Sequence, residues 1–284
     1  MGDIYSSFDF GYDPDTIETC PIATLPPPPK LLPSRATVNP AWLPPIGHQM
    51  TPSCFVWSTI YGLATYNAAR AGNYTPAKPS LQASPYYAYI KILQAHDVLD
   101  SCAGGQISWC FNLLHTENGT PNLEQAPEPA VSLGGDACGA AWSSYGGSQI
   151  PSDLAFGVAG CSQINIKDSN GLAQLRAMIA KGTPLAYGTS LYTDFPGYGV
   201  PPSSGIVWPI PYVGNNQILA KNGKAVGHCM MIIGYDDEMG AVLIQNSFGP
   251  DWGIQWNGGY GYIWMAYKTF QTLAQGGACF ISET

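Results

Sequence analysis

A cysteine, a histidine and an asparagine occur along this chain in an order suited to thiol chemistry. Cys54 lies in Pro52-Ser53-Cys54-Phe55-Val56-Trp57-Ser58. His228 lies in Gly227-His228-Cys229-Met230-Met231-Ile232-Ile233-Gly234-Tyr235. Asn246 lies in Gln245-Asn246-Ser247-Phe248-Gly249. A thiol attacks as its thiolate, which forms near neutral pH only beside a cation or a helix N-terminus. An imidazole can take the thiol proton and return it to a leaving amine. An amide oxygen accepting from the second ring N–H fixes the imidazole's tautomer and orientation.

Such a set needs elements that hold it. Residues 55–69 carry no charge and are dense in Ala, Leu, Ile and Trp. This run predicts a buried helix starting at Ser53 or Cys54 and stopping at Arg70-Ala71-Gly72. A cysteine in its first turn sits in the positive end of the helix dipole. Further helices are predicted over 86–98, 107–117 and 172–181. The second half reads as strands over 184–187, 227–235, 241–246 and 260–265, with 236–240 as the hairpin turn between His228's strand and Asn246's. Helices crowding one half and antiparallel strands the other predict an α+β fold.

The 284 residues suffice for one large domain or two lobes with a shared core. With 45% hydrophobic residues the interior is sizeable, and with 33 Gly and 25 Pro much of the chain is loop. The net charge of −8 comes without a basic run, which argues against nucleic acid and anionic membrane as partners. No stretch approaches the roughly 18–20 apolar residues of a membrane span. Residues 1–7 have neither the basic nor the apolar region of a signal peptide. Eight cysteines favour a secreted or periplasmic location over the cytoplasm. None forms a C-x-x-C pair, so no metal site is expected. If Cys54 is free, parity leaves at least one more free thiol, for which Cys229 in its apolar run is chosen. One or two bridges are expected among the middle cysteines, Cys102, Cys110 and Cys138.

Residues 1–37 differ from the rest. Aromatic and acidic residues precede Leu25-Pro26-Pro27-Pro28-Pro29-Lys30, where four prolines favour an extended polyproline conformation. This is either a surface linker or a segment lying across the protein, with Tyr5, Phe8, Phe10 and Tyr12 as anchors. The remaining chain, 38–284, is read as one domain with a helical part over about 50–165 and a strand part over about 166–284.

The runs around Cys54, His228 and Asn246 resemble those of papain-like cysteine peptidases. Asn246-Ser247-Phe248-Gly249-Pro250-Asp251-Trp252-Gly253 is similar to the family's Asn-Ser-Trp-Gly-x-x-Trp-Gly motif, and residues 257–263 to the strand after it. Cys102-Ala103-Gly104-Gly105 resembles its substrate-binding wall. Leu32-Pro33-Ser34-Arg35 and residues 44–49 resemble the mature start of bacterial members. The resemblance spans about 32–267. It implies two lobes, one helical and one antiparallel and barrel-like, with the active-site cleft between them.

It also implies peptide-bond hydrolysis without a cofactor. Cys54 would be the nucleophile, His228 its base and Asn246 the orienting residue, with a glutamine completing the oxyanion hole. The usual spacing lands on His48, but aligning Pro44-Pro45-Ile46 first places Gln49 there, and Gln49 is preferred. Gly104, Gly105 and Gly227 would meet substrate backbone, and Ile107 and Val226 would line a side-chain pocket. Trp252 is placed at the same site, packed over the His–Asn pair.

Three positions depart from the family pattern: Phe248 replaces a tryptophan, Gly227 stands where Asp or Asn is common, and Thr51 replaces a bridging cysteine. Cys102 then needs another partner, Cys138 or Cys110. The expected partners are a peptide or protein substrate and the chain's own N-terminal segment as a short prosegment in the cleft. A monomer is expected. Weakly active peptide binding, or acyl transfer through the same thioester, are the alternative functions.

Overall fold

The computed structural model describes residues 11–12, 20–116, 119–129, 154–199 and 209–282. The helix that presents Cys54 runs on without a break. It has an ordinary first turn at Cys54–Val56, a wide π-helical stretch at Trp57–Ala64 and a regular end at Thr65–Gly72. Together these form α1. Every residue from Cys54 to Tyr66 is buried, as its uncharged sequence requires. Asn73, rather than Gly72, takes the left-handed stop at φ 50° and turns its N–H back onto the carbonyls of Ala69 and Arg70. Asparagine tolerates that conformation and ends helices as glycine does.

Helices α2 (Pro85–Ala95) and α3 (Ile107–Thr116) pack beside α1. Ser84 caps α2 by accepting from the Tyr87 N–H at 3.2 Å. Helix α4 (Ser169–Ala180) is capped by Asp168, which accepts from the Gly171 N–H at 2.7 Å. Helix α5 (Tyr267–Leu273) follows the fourth expected strand region.

The strands are β1 (Arg35–Thr37), β2 (Cys161–Asn165), β3 (Leu185–Ser190), the short pair β4 (Ala220–Lys221) and β5 (Lys224–Ala225), then β6 (Gly227–Asp236), β7 (Ala241–Gln245), β8 (Ile254–Trp256), β9 (Gly259–Ala266) and β10 (Ala274–Ile281). The main sheet is antiparallel, in the order β2-β10-β3-β6-β7-β9-β8, with β1 also paired to β6. The expected α+β architecture is present, and the sheet stays open, ending at β2 and β8. Its central strands, β3, β6 and β7, are buried almost throughout, which accounts for their unbroken apolar sequence.

Two boundaries differ from the sequence reading. Residues 35–37, read as the end of the N-terminal segment, are a strand of the sheet. Residues 161–165, read as helical-lobe chain, are its edge strand β2. Short or glycine-interrupted strands such as β1, β2 and β10 carry little pattern of their own and are fixed by their partners.

Candidate active site

Cys54 stands at the start of α1 and its side chain has no solvent exposure. Ser53, the cap residue, makes no side-chain hydrogen bond to the first turn. Its hydroxyl instead accepts from Thr51 Oγ1 at 2.8 Å. Thr51, where a bridging cysteine was absent, thus orders the turn leading into the helix. Across from it, His228 is the second residue of β6 and is fully buried. Its Nε2 lies 2.8 Å from Asn246 Oδ1, leaving Nδ1 as the nitrogen available to the thiol.

Burial pushes the Cys54 thiol up, but four interactions outweigh it. They are the Cys229 thiol, the hydrogen bond and the charge of His228, and the Cys229 backbone N–H, and together they bring the thiol from 9.0 down to about 6. The structure therefore brings thiol, imidazole and amide together from α1, β6 and the end of β7. Such an arrangement can hold a thiolate at neutral pH and deliver a proton to a leaving group.

A stack of rings closes over the imidazole. Phe248 lies tilted 31° at 4.8 Å from His228, and Phe195 meets it edge-on at 6.3 Å. Trp252, 1% exposed, contacts Phe248, Phe195 and Tyr198 and donates its indole N–H to the Pro196 carbonyl at 3.0 Å. It forms the rear of the ring stack rather than a wall open to a bound peptide. Phe248 supplies the cover without the indole donor that the family motif carries.

Gln49 is buried and His48 is exposed, so the glutamine is the one turned inward. Its N–H donates to the Ser247 carbonyl at 2.8 Å, and its side-chain oxygen accepts from Ser247 Oγ at 2.6 Å. Its amide nitrogen lies 3.2 Å from the Thr51 carbonyl. Gln49 is thereby fixed between the asparagine loop and the turn before Cys54.

Gly104 and Gly105 stand on one side of residues 11–12 and Gly227 on the other. Tyr12 forms a parallel bridge to Gly105 and an antiparallel bridge to Gly227, and the Gly105 N–H donates to the Gly11 carbonyl at 2.6 Å. A Cβ on Gly104 would stand 2.5 Å from the Gly11 carbonyl oxygen, and one on Gly105 would meet the rings of Trp109 and Phe55. Only glycine permits this approach. The Tyr89 hydroxyl, 2.8 and 2.9 Å from the carbonyls of Cys102 and Ala103, pins the wall from behind. The Tyr12 side chain is 4% exposed and packs on Gly188 of β3. Ile107 and Val226 are buried beside the two walls. Of the aromatic anchors proposed, Tyr12 is in place; Tyr5, Phe8 and Phe10 lie outside the described residues.

Cys20 and Cys161 form a disulfide with Cα atoms 5.8 Å apart, a pairing the sequence did not suggest. Cys102 is disulfide-bonded, while Cys110 is in no disulfide and so is not its partner; the expectation for Cys138 lies outside the described residues. Cys229 is outside any disulfide, as expected from its apolar run, and its contact with Cys54 went unforeseen. Strand alternation applied to His228 and its neighbour gives no sign that both would approach one sulfur. Among the described residues no cluster of metal-ligating side chains occurs.

The chain has the fold of papain-like cysteine proteases. Xylellain, a cysteine protease from Xylella fastidiosa, matches 98% of this chain and 97% of its own at 19% identity, with a TM-score of 0.64. Digestive procathepsin L 3 of the Tenebrio molitor larval midgut matches 98% of this chain and 78% of its own at 16% identity, TM-score 0.65. A ragweed pollen cysteine protease allergen in its proform matches at 15% identity over 90% of this chain and 66% of its own, TM-score 0.59. No protein-family model and no curated protein sequence matches the chain.

Proposed function

We propose that this protein is a cysteine peptidase made with its own N-terminal segment in the cleft. Cys54 attacks the scissile carbonyl as a thiolate. The His228 imidazolium protonates the leaving amine, and water then hydrolyses the thioester with His228 as base. Asn246 holds the imidazole, and Gln49 with the Cys54 N–H stabilises the oxyanion. Gly105 and Gly227 offer backbone groups to an extended peptide, the positions that Tyr12 now takes.

The observation that carries this reading is the Cys54 thiol brought to about 6 beside an imidazole whose other nitrogen is held at 2.8 Å by Asn246. The structural neighbours, described as cysteine proteases and proforms, add weight to it. The test is hydrolysis of a fluorogenic dipeptide, with and without an added amine. Turnover by the wild-type chain and its loss in Cys54→Ala are expected. Equal turnover in Cys54→Ala rejects the proposal, and product formed only with amine present reassigns the chain to acyl transfer.

A further inference from the structure

The N-terminal segment is fastened to the sheet at a second place, the edge strand β2. Cys20 is bonded to Cys161, the first residue of β2, across 141 residues of sequence. Just after it, the Ala23 N–H donates to the Gln163 carbonyl, and the Gln163 N–H to the Pro21 carbonyl, both at 2.8 Å. Ile22 thus lies beside β2 as a short parallel extension of the open sheet. The Gln163 side-chain amide adds a bond to the Cys20 carbonyl at 2.5 Å. This covers an edge that would otherwise offer unpaired backbone groups. Beyond it the chain is proline-rich and surface-lying, with Lys30 exposed and Leu31 92% exposed, until β1 rejoins the sheet at Arg35.

The cleft-filling residues therefore lie on the N-terminal side of the disulfide, and the exposed stretch on its C-terminal side. From this geometry we infer that a cut in the exposed stretch at Lys30–Leu31 yields a two-chain protein, with the blocking segment kept in place by Cys20–Cys161 until that bond is reduced. The inference rests on the blocking role proposed above for Tyr12. Cleavage adds water across one peptide bond, leaving a carboxylate on Lys30 and an amine on Leu31. Release needs a thiol reductant, which gives two electrons and two protons to the S–S bond and leaves as its own disulfide. Until then only seven residues lie between Tyr12 and its anchor at Cys20, so the segment rebinds as an intramolecular ligand. A short tether of this kind gives an effective concentration of about millimolar. Cutting alone does not switch the protein on; cutting followed by reduction does.

The test uses the full chain with a recognition sequence for a site-specific endoprotease inserted between Lys30 and Leu31, alone and combined with Cys20→Ser. Cys20 belongs to the segment, so its replacement leaves the sequence of β2 unchanged and turns Cys161 into a thiol. After cutting without reductant, the fragment's attachment is read on a denaturing gel and by gel filtration, and turnover with a fluorogenic dipeptide. The cut parent chain is expected to keep its fragment and stay within about twofold of its uncut rate. The cut Cys20→Ser chain is expected to shed the fragment and gain at least about tenfold. A parent chain that sheds its fragment without reductant overturns the inference, and so does one that gains the full rate with the fragment attached. A Cys20→Ser chain that retains the fragment in gel filtration also overturns it, since the disulfide would then not be the tie. Shedding with no gain in rate instead overturns the blocking role, and the gel alone then decides on covalent attachment.

Discussion

Asn246 Oδ1 lies 2.8 Å from His228 Nε2, so the imidazole is oriented from behind while its other nitrogen is left for Cys54. The amide is itself fixed: Asn246 donates its N–H to the Gly261 carbonyl at 3.0 Å, and its Oδ1 also accepts from the Ser247 N–H at 2.8 Å. Replacing Asn246 with Ala lets the ring turn. Misplacement of a reacting group by about 1 Å can cost on the order of 10²-fold, and a loss of that size in kcat/KM is expected for Asn246→Ala with the fold retained. Steady-state kinetics with circular dichroism as the folding control checks this.

Cys229 gives the nucleophile two hydrogen bonds, from its thiol and from its N–H. Cys229→Ala removes the first and keeps the second. A hydrogen bond to a charged group is worth about 1.5–3 kcal/mol, so the ionisation midpoint of Cys54 should rise by about one to two units. The acid limb of kcat/KM should move up by the same amount, with little change in the plateau at higher pH. An unchanged limb would show that the thiol contributes nothing to ionisation.

Gln49 and Ser247 form a pair in which the hydroxyl anchors the amide at 2.6 Å. Removing an oxyanion donor costs about 10²–10³-fold, the loss expected in kcat for Gln49→Ala. Ser247→Ala keeps the amide but frees its orientation, and a loss of roughly tenfold is expected. The double variant should be little worse than Gln49→Ala alone, because the two residues act through one group.

Tyr12 buries an aromatic ring on Gly188 while its backbone joins both walls. Losing such a side chain removes about 1.5–3 kcal/mol of burial, or roughly ten- to a hundredfold in occupancy of the cleft. Tyr12→Ala should therefore raise dipeptide turnover by the full chain by at least about tenfold. The variant has no reason to be faster than a chain already lacking residues 1–19, which keeps β1 and Cys20, and that comparison separates unblocking from a change in the site.

The site's reacting groups were legible because each sits in a local run whose composition reveals its element. The uncharged helix after Cys54, the apolar strand after His228 and the turn after Asn246 all read directly from sequence. The open ends of the sheet did not. Strand β10 is interrupted by Gly276 and Gly277, and β2 is half polar, so neither shows the pattern of a buried strand. The Cys20–Cys161 bond joins segments far apart in sequence, where spacing carries no information. Ser247 passed unremarked inside a motif whose other members drew attention. The wide stretch of α1 has no sequence mark that an ordinary buried helix would lack.

The central claim is that Cys54 is ionised by the imidazole facing it. Because its pKa is lowered to about 6, the thiolate is present above that pH and lost as pH falls through it. The most direct measurement is the rate of Cys54 alkylation by iodoacetamide against pH, in the wild-type chain and in His228→Ala, with the site of labelling read by mass spectrometry. The account predicts a midpoint of about 6 in the wild type and a clear upward shift in His228→Ala. A wild-type midpoint near that of an ordinary thiol, about 8.5, and unmoved by loss of His228, would contradict it.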